Sequence, residues 1–187
     1  MLSTMKKELE KLEQEVASYI KTLEEALSHR EISEEMLKMD LKEFDNRVIR
    51  FLALYQPRGE LLREIIAYLK IVPFINKIKK SIRSFLKKRK KYPVENPTLE
   101  KLYQNSVEAL RSLKMGILAG DIEEVFPVIL EYERSADKLY SQLVREVKEM
   151  EDIEEGLKLL NLAKKLERIT DSVKTIGFYL LFAQEGI

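Results

Sequence analysis

Within LERITD, Leu166 to Asp171, two carboxylates stand four residues apart in a stretch of helical pattern. At that spacing side chains project from one side of a helix about a turn apart, so Glu167 and Asp171 could grip one ion. The stretch ERSAD repeats the device with Glu133 and Asp137. Two such pairs on neighbouring antiparallel helices would gather four anions, whose repulsion a di- or trivalent metal relieves. The competing reading is plain solvation, because a chain with 32 Asp and Glu holds many acids at this spacing. There are no cysteines, and His29 is the single histidine, so any metal must be held by carboxylates. Oxygen donors favour hard cations, while carboxylate-bridged iron or zinc remains compatible.

A second feature is cationic. From Lys77 to Lys91 the chain reads KIKKSIRSFLKKRKK, nine cations in fifteen residues. Cations favour a helix C-terminus through its dipole, which accounts for the last turn but not for those further upstream. Lys77, Lys80, Arg83 and Lys87 therefore form a candidate patch for an anionic partner, either an acidic protein surface or membrane-proximal phosphates. A solvated face is the competing reading. Nucleic acid is the weaker partner, since the run has little aromatic interleaving and the whole chain carries only +1.

These residues need helices to place them. Apolar residues recur at three- and four-residue spacing nearly throughout, with no convincing period-two stretch. The pattern predicts six long antiparallel helices. They run from about Ser3 to Leu27, Glu31 to Tyr55, Glu60 to Lys90, Pro97 to Leu118, Asp121 to Met150 and Asp152 to Ala183. Leu37, Leu41, Phe44, Val48, Phe51 and Tyr55 form the expected stripe of the second. Pro73 and Pro127 fall inside helices and are expected to kink them. The clearest linker is Lys91 to Pro97, where Asn96-Pro97 reads as an N-cap followed by proline at the first helical position.

Three helices on either side of that linker suggest duplication. EFDNRVIRFL (Glu43 to Leu52) resembles SADKLYSQLV (Ser135 to Val144) at an offset of 92, and LKIVPFINKIKKSI lies over LNLAKKLERITDSV at an offset of 91. Agreement between the two offsets points to an ancient repeat, with residues 1–91 as the first unit and 92–187 as the second. The first unit's equivalents of the four acids are Leu41, Asp45, Asn76 and Lys80, so it should not bind the same metal. The fold class expected is all-α, two tandem three-helix bundles.

The stretch LAKKLERITDSVKTIGFYLLF closely resembles the helix ending each repeat of the PhoU family, the phosphate-uptake regulators. FLALYQPRGELLREIIAYLKI, with Gln56, Pro57, Leu62 and Arg63, is similar to the family's other recognisable stretch, and ERSADKLYSQL to its upstream acid motif. The resemblance implies paired three-helix bundles, a homodimer, and surface carboxylate motifs that hold multinuclear iron or another divalent metal. Carried over by position, that motif maps to Glu133, Asp137, Glu167 and Asp171. Thr170 stands where the family has glycine, Thr175 where it has asparagine, and Leu61 where it has an acid. The resemblance also implies regulation rather than turnover, through a phosphate ABC transporter ATPase and a phosphate-sensing histidine kinase, with membrane proximity arising through those partners.

Three functions stay in view. The preferred one is a non-catalytic regulator of phosphate uptake and phosphate-responsive signalling. A carboxylate-metal enzyme is the alternative, although His29 lies far along the chain from the acids and the Glu-x-x-His pairs of di-iron bundles are missing. A structural helical adaptor without metal is the third. MLSTMKKELEKLEQEV lacks the apolar core of a signal peptide, and IIAYLKIVPFI is too short to span a bilayer, so the expected location is cytoplasmic.

Overall fold

A computed structural model describes residues 2–186. Among them lie seven helices and no strand: α1 (Leu2–Ser28), α2 (Glu34–Leu37), α3 (Leu41–Tyr55), α4 (Gly59–Lys91), α5 (Pro97–Ala119), α6 (Ile122–Lys148) and α7 (Ile153–Glu185). The fold is all-α, two three-helix bundles in tandem, α1–α3–α4 and α5–α6–α7. Helix starts follow from local chemistry. The side chains of Asn96, Asp121 and Asp152 accept hydrogen bonds from the backbone N–H of Leu99, Glu124 and Glu155, satisfying donors that the first turn leaves free. Gly120 ends α5 with φ +67°, a left-handed conformation that costs glycine nothing. Both α4 and α6 continue unbroken past their internal prolines.

One expectation needs correction. The second predicted helix is not continuous: the single turn α2 and the longer α3 are separated at Lys38–Met39–Asp40. Two N-caps compete within it. Ser33 caps α2 through the N–H of Met36, and Asp40 caps α3 through the N–H of Glu43. The break turns Leu37 out to 51% exposure and puts Met36 in the core in its place. Periodicity alone reads through such a break, because both pieces keep helical spacing.

The two longest helices, α4 and α7, pack against each other along their length and run antiparallel. Lys88 Nζ donates to Asn161 Oδ1 at 2.8 Å near one end, Phe74 meets Tyr179 midway, and Arg63 lies beside Gly186 at the other. Helices α5 and α6 cover α7, α3 covers α4, and α1 bridges α4 and α5. A single apolar core therefore runs through both halves of the chain. Part of its polar content is paired between helices. Thr170, fully buried, bonds the Leu166 carbonyl at 3.3 Å and the Ser106 hydroxyl at 3.2 Å. Within LERITD, Thr170 is thus a core residue joining α5 to α7, and its hydroxyl is accommodated by a partner on the facing helix.

Candidate carboxylate and cation sites

The four predicted acids all lie on the packed pair α6 and α7. Lys174, on α7, reaches across the groove to Glu133 Oε1 at 3.2 Å and also lies 3.6 Å from Asp171 Oδ1. Nearly three turns earlier on α7, Lys164 pairs with Glu167 at 3.4 Å and stands 5.3 Å over the Tyr140 ring of α6. Asp137 is exposed and has no ion pair among the described residues. Packing thus brings Glu133 and Asp171 to one lysine, while Glu167 pairs with another. Among the described residues no three Asp, Glu or His side chains come together around one point. Burial pulls the Lys174 ammonium down, yet Glu133 and Asp171 together outweigh this and hold it above its usual range. As arranged, the acids do not fit a multinuclear metal: a cation would have to displace Lys174 or Lys164 first. Both lysines were visible in sequence at three-residue spacing from Asp171 and Glu167.

The first bundle has a counterpart groove. Asp45 on α3 faces Asn76 and Lys79 on α4 across a shallow depression that Asp40 and Lys42 also line. Its position matches the offset inferred from sequence. One Asp45 oxygen is buried without a hydrogen bond; Lys80, the equivalent of Asp171, is exposed, and its neighbour Lys79 is the lysine that lines the groove.

Of the predicted cationic patch, Lys77, Lys80 and Lys87 are exposed on α4, while Arg83 is half-buried on the side that carries Asn76 and Lys79 against α3. Tertiary packing enlarges the patch beyond the run. Helix α7 sets Lys165 near Lys88 and Arg168, and the Lys158 ammonium sits 4.2 Å over the Tyr92 ring. Burial first, then the neighbouring Lys88 and Arg168 charges, lowers the Lys165 ammonium.

A cleft of about 400 Å³ opens at the end of the molecule where α1, α4, α5 and α7 meet. Glu13 of α1 and Glu64 of α4 face each other there, and the Tyr68 hydroxyl donates to Glu64 at 2.7 Å. Partial burial, then the Glu64 carboxyl beside it, raises Glu13 to about 7. Nothing in the sequence marked this pair, whose members stand 51 residues apart. His29 is exposed in the turn that ends α1 and joins none of these groups. No helix among the described residues is long and apolar enough to cross a membrane.

No protein-family model matches the chain, and no curated protein matches it. Solved structures do. The crystal structure of PhoU from Pseudomonas aeruginosa is similar over 100% of this chain and 98% of that one, with a TM-score of 0.74 and 18% identity. The phosphate transport system regulatory protein PhoU from Streptococcus pneumoniae gives a TM-score of 0.67 at 18% identity, covering 100% and 96%. The likeness is one of fold: the chain has a PhoU-like architecture from end to end.

Proposed function

We propose that this chain is a non-catalytic regulator of phosphate uptake and phosphate-responsive signalling. It acts by docking, as a homodimer, on a phosphate ABC transporter ATPase or a phosphate-sensing histidine kinase. The observation that carries this reading is the PhoU-like fold, which extends over all of this chain and 98% and 96% of the two solved ones. The LERITD and Gln56-Pro57 resemblances, independent of the fold comparison, support it. Fold alone does not dictate activity, so the test is functional. Deleting the gene should change phosphate uptake and phosphate-responsive transcription in phosphate-replete cells, and the tagged protein should co-purify with the transporter ATPase or the kinase. Unchanged uptake together with unchanged transcription would sink the regulator reading.

Iron or another divalent metal on Glu133, Asp137, Glu167 and Asp171 is not built into this proposal, because Lys164 and Lys174 already neutralise three of the four acids. Protein purified without chelator should carry less than one equivalent of metal. Lys164→Met with Lys174→Met should raise that content. A full complement of metal in the unaltered chain would restore the carboxylate centre, and with it the enzyme as a rival.

A further inference from the structure

The outer face of the α4–α7 pair combines two properties. The first is unpaired positive charge. Several cations at other contacts between helices have carboxylate partners: Arg47 with Glu15, Arg111 and Lys114 with Glu24, Lys174 with Glu133. Among the described residues, none of the nine cations from Lys77 to Lys91 forms an ion pair. Their contacts are an amide at Asn161, a backbone carbonyl at Tyr92 and aromatic rings. Helix α7 adds Lys165 near Lys88, with Arg168 close to Lys165, so like charges crowd at the seam. The acids bordering the face form no ion pair with them: Asp171 is 3.6 Å from Lys174, and Asp45 faces Lys79 across the α3–α4 groove without an ion pair. At about 1.5 Å per residue the run on α4 alone extends roughly 20 Å.

The second property is partly exposed aromatic and aliphatic surface beside that charge, with Phe178 exposed and Phe74 and Tyr179 half-buried. Phe74, Tyr179 and Phe178 form a strip from α4 onto α7, with ring centroids 6.1 and 5.7 Å apart. Phe178 is 54% exposed, and the Lys77 ammonium stands 4.8 Å over the Phe74 ring. At the opposite end of α7, Ile153 and Leu157 are also exposed. Lysines beside aromatic rings on a helical face match what a bilayer interface selects, where rings sit at headgroup depth and ammonium groups meet phosphates.

We propose that the outer face of α4 and α7 docks directly on an anionic lipid surface. The run from Lys77 to Lys91, with Lys165 and Arg168, meets lipid phosphates, and the Phe74–Tyr179–Phe178 strip enters the headgroup region. This goes beyond membrane proximity through protein partners and does not depend on the regulator reading. An acidic protein is the other class of partner for such charge, but it would not call for the aromatic strip.

Flotation of the purified full chain with vesicles tests the proposal. Vesicles of equimolar phosphatidylcholine and phosphatidylglycerol should carry the protein, vesicles of phosphatidylcholine alone should not, and salt should release it. Each cation removed near the surface should weaken the affinity roughly fivefold, so Lys80→Gln with Lys87→Gln should lose about thirtyfold. Both side chains are exposed, and unchanged helical circular dichroism would confirm folding. The control Lys6→Gln with Lys7→Gln alters the net charge equally on α1 and should leave affinity unchanged. Phe178→Ser should weaken binding while preserving its salt dependence. Absence of binding to anionic vesicles overturns the proposal, as does equal loss in the α1 control. Salt-sensitive binding to polyglutamate without binding to vesicles would assign the face to an acidic protein and overturn it as well.

Discussion

Lys174 joins two carboxylates from different helices, and its removal separates two roles. The ion pairs are partly solvated, so Lys174→Met should cost no more than about 1 kcal/mol of stability in chemical denaturation. The same change leaves Glu133 and Asp171 unopposed, so calorimetric titration with Mn²⁺ should show tighter binding than in the unaltered chain. Equal affinity in both proteins would remove the lysine as the barrier to metal. At the cleft, Glu13 keeps its proton to about pH 7 in the folded chain, against 4.5 as its ordinary value. Between these values the folded state holds more protons than the unfolded one, so stability falls as the pH rises through the window. Glu13 stands on the exposed rim, where solvent screens part of the effect. Urea midpoints recorded across the window should decline for the unaltered chain and flatten for Glu13→Gln; a midpoint rising with pH would contradict the pairing with Glu64.

At the scale of elements, the tight α5–α6 corner depends on Gly116. A Cβ there would collide with the Val125 side chain and crowd Ile122 at 3.1 Å, before any turn strain at Gly120 is counted. Overpacking of this kind costs about 1–3 kcal/mol, so Gly116→Ala should lower the melting temperature, although alanine is the better helix former. No loss would mean that α6 can shift away freely. The α2–α3 break makes a complementary prediction. Asp40→Ala removes the cap on Glu43 and should destabilise by about 1 kcal/mol. If one continuous helix ran from Glu31, the substitution would instead be neutral or favourable. Stretches with uninterrupted apolar spacing, such as α5 and α7, were readable from sequence to within about two residues. The α2–α3 junction was not, because a cap competes with helix continuation through side-chain hydrogen bonds that hydrophobic periodicity does not register.

For the whole molecule, the two halves are joined by more than the long contact between α4 and α7. Glu24 of α1, 3% exposed, is held by Arg111 at 2.9 Å and Lys114 at 3.5 Å, both on α5. The Tyr103 hydroxyl, also on α5, donates to the Leu27 carbonyl at 2.6 Å. Arg111→Ala leaves a buried carboxylate with one distant partner and should cost about 2 kcal/mol. Because one apolar core spans both bundles, that loss should appear in a single cooperative transition. Two separated transitions would show instead that the bundles unfold independently. Charge is divided in the opposite sense: residues 1–91 carry 21 basic and 14 acidic side chains, and residues 92–187 carry 12 and 18. A nearly neutral total therefore conceals a basic half and an acidic half.

From its sequence alone, the chain was legible as helical, tandem and PhoU-like, because periodicity, caps and the repeat offset are local properties carried by residue order. The identity of the four acids and of the basic run was equally legible. What those charges face was decided only by tertiary structure. Packing of α6 on α7 brings Lys174 between Glu133 and Asp171, and packing of α4 on α7 adds Lys165 and Arg168 to a run that was already basic. Spacing along one helix tells which side chains share a side. The electrostatic character of a groove depends on the neighbouring helix, whose register is set by how apolar side chains fill the core between them.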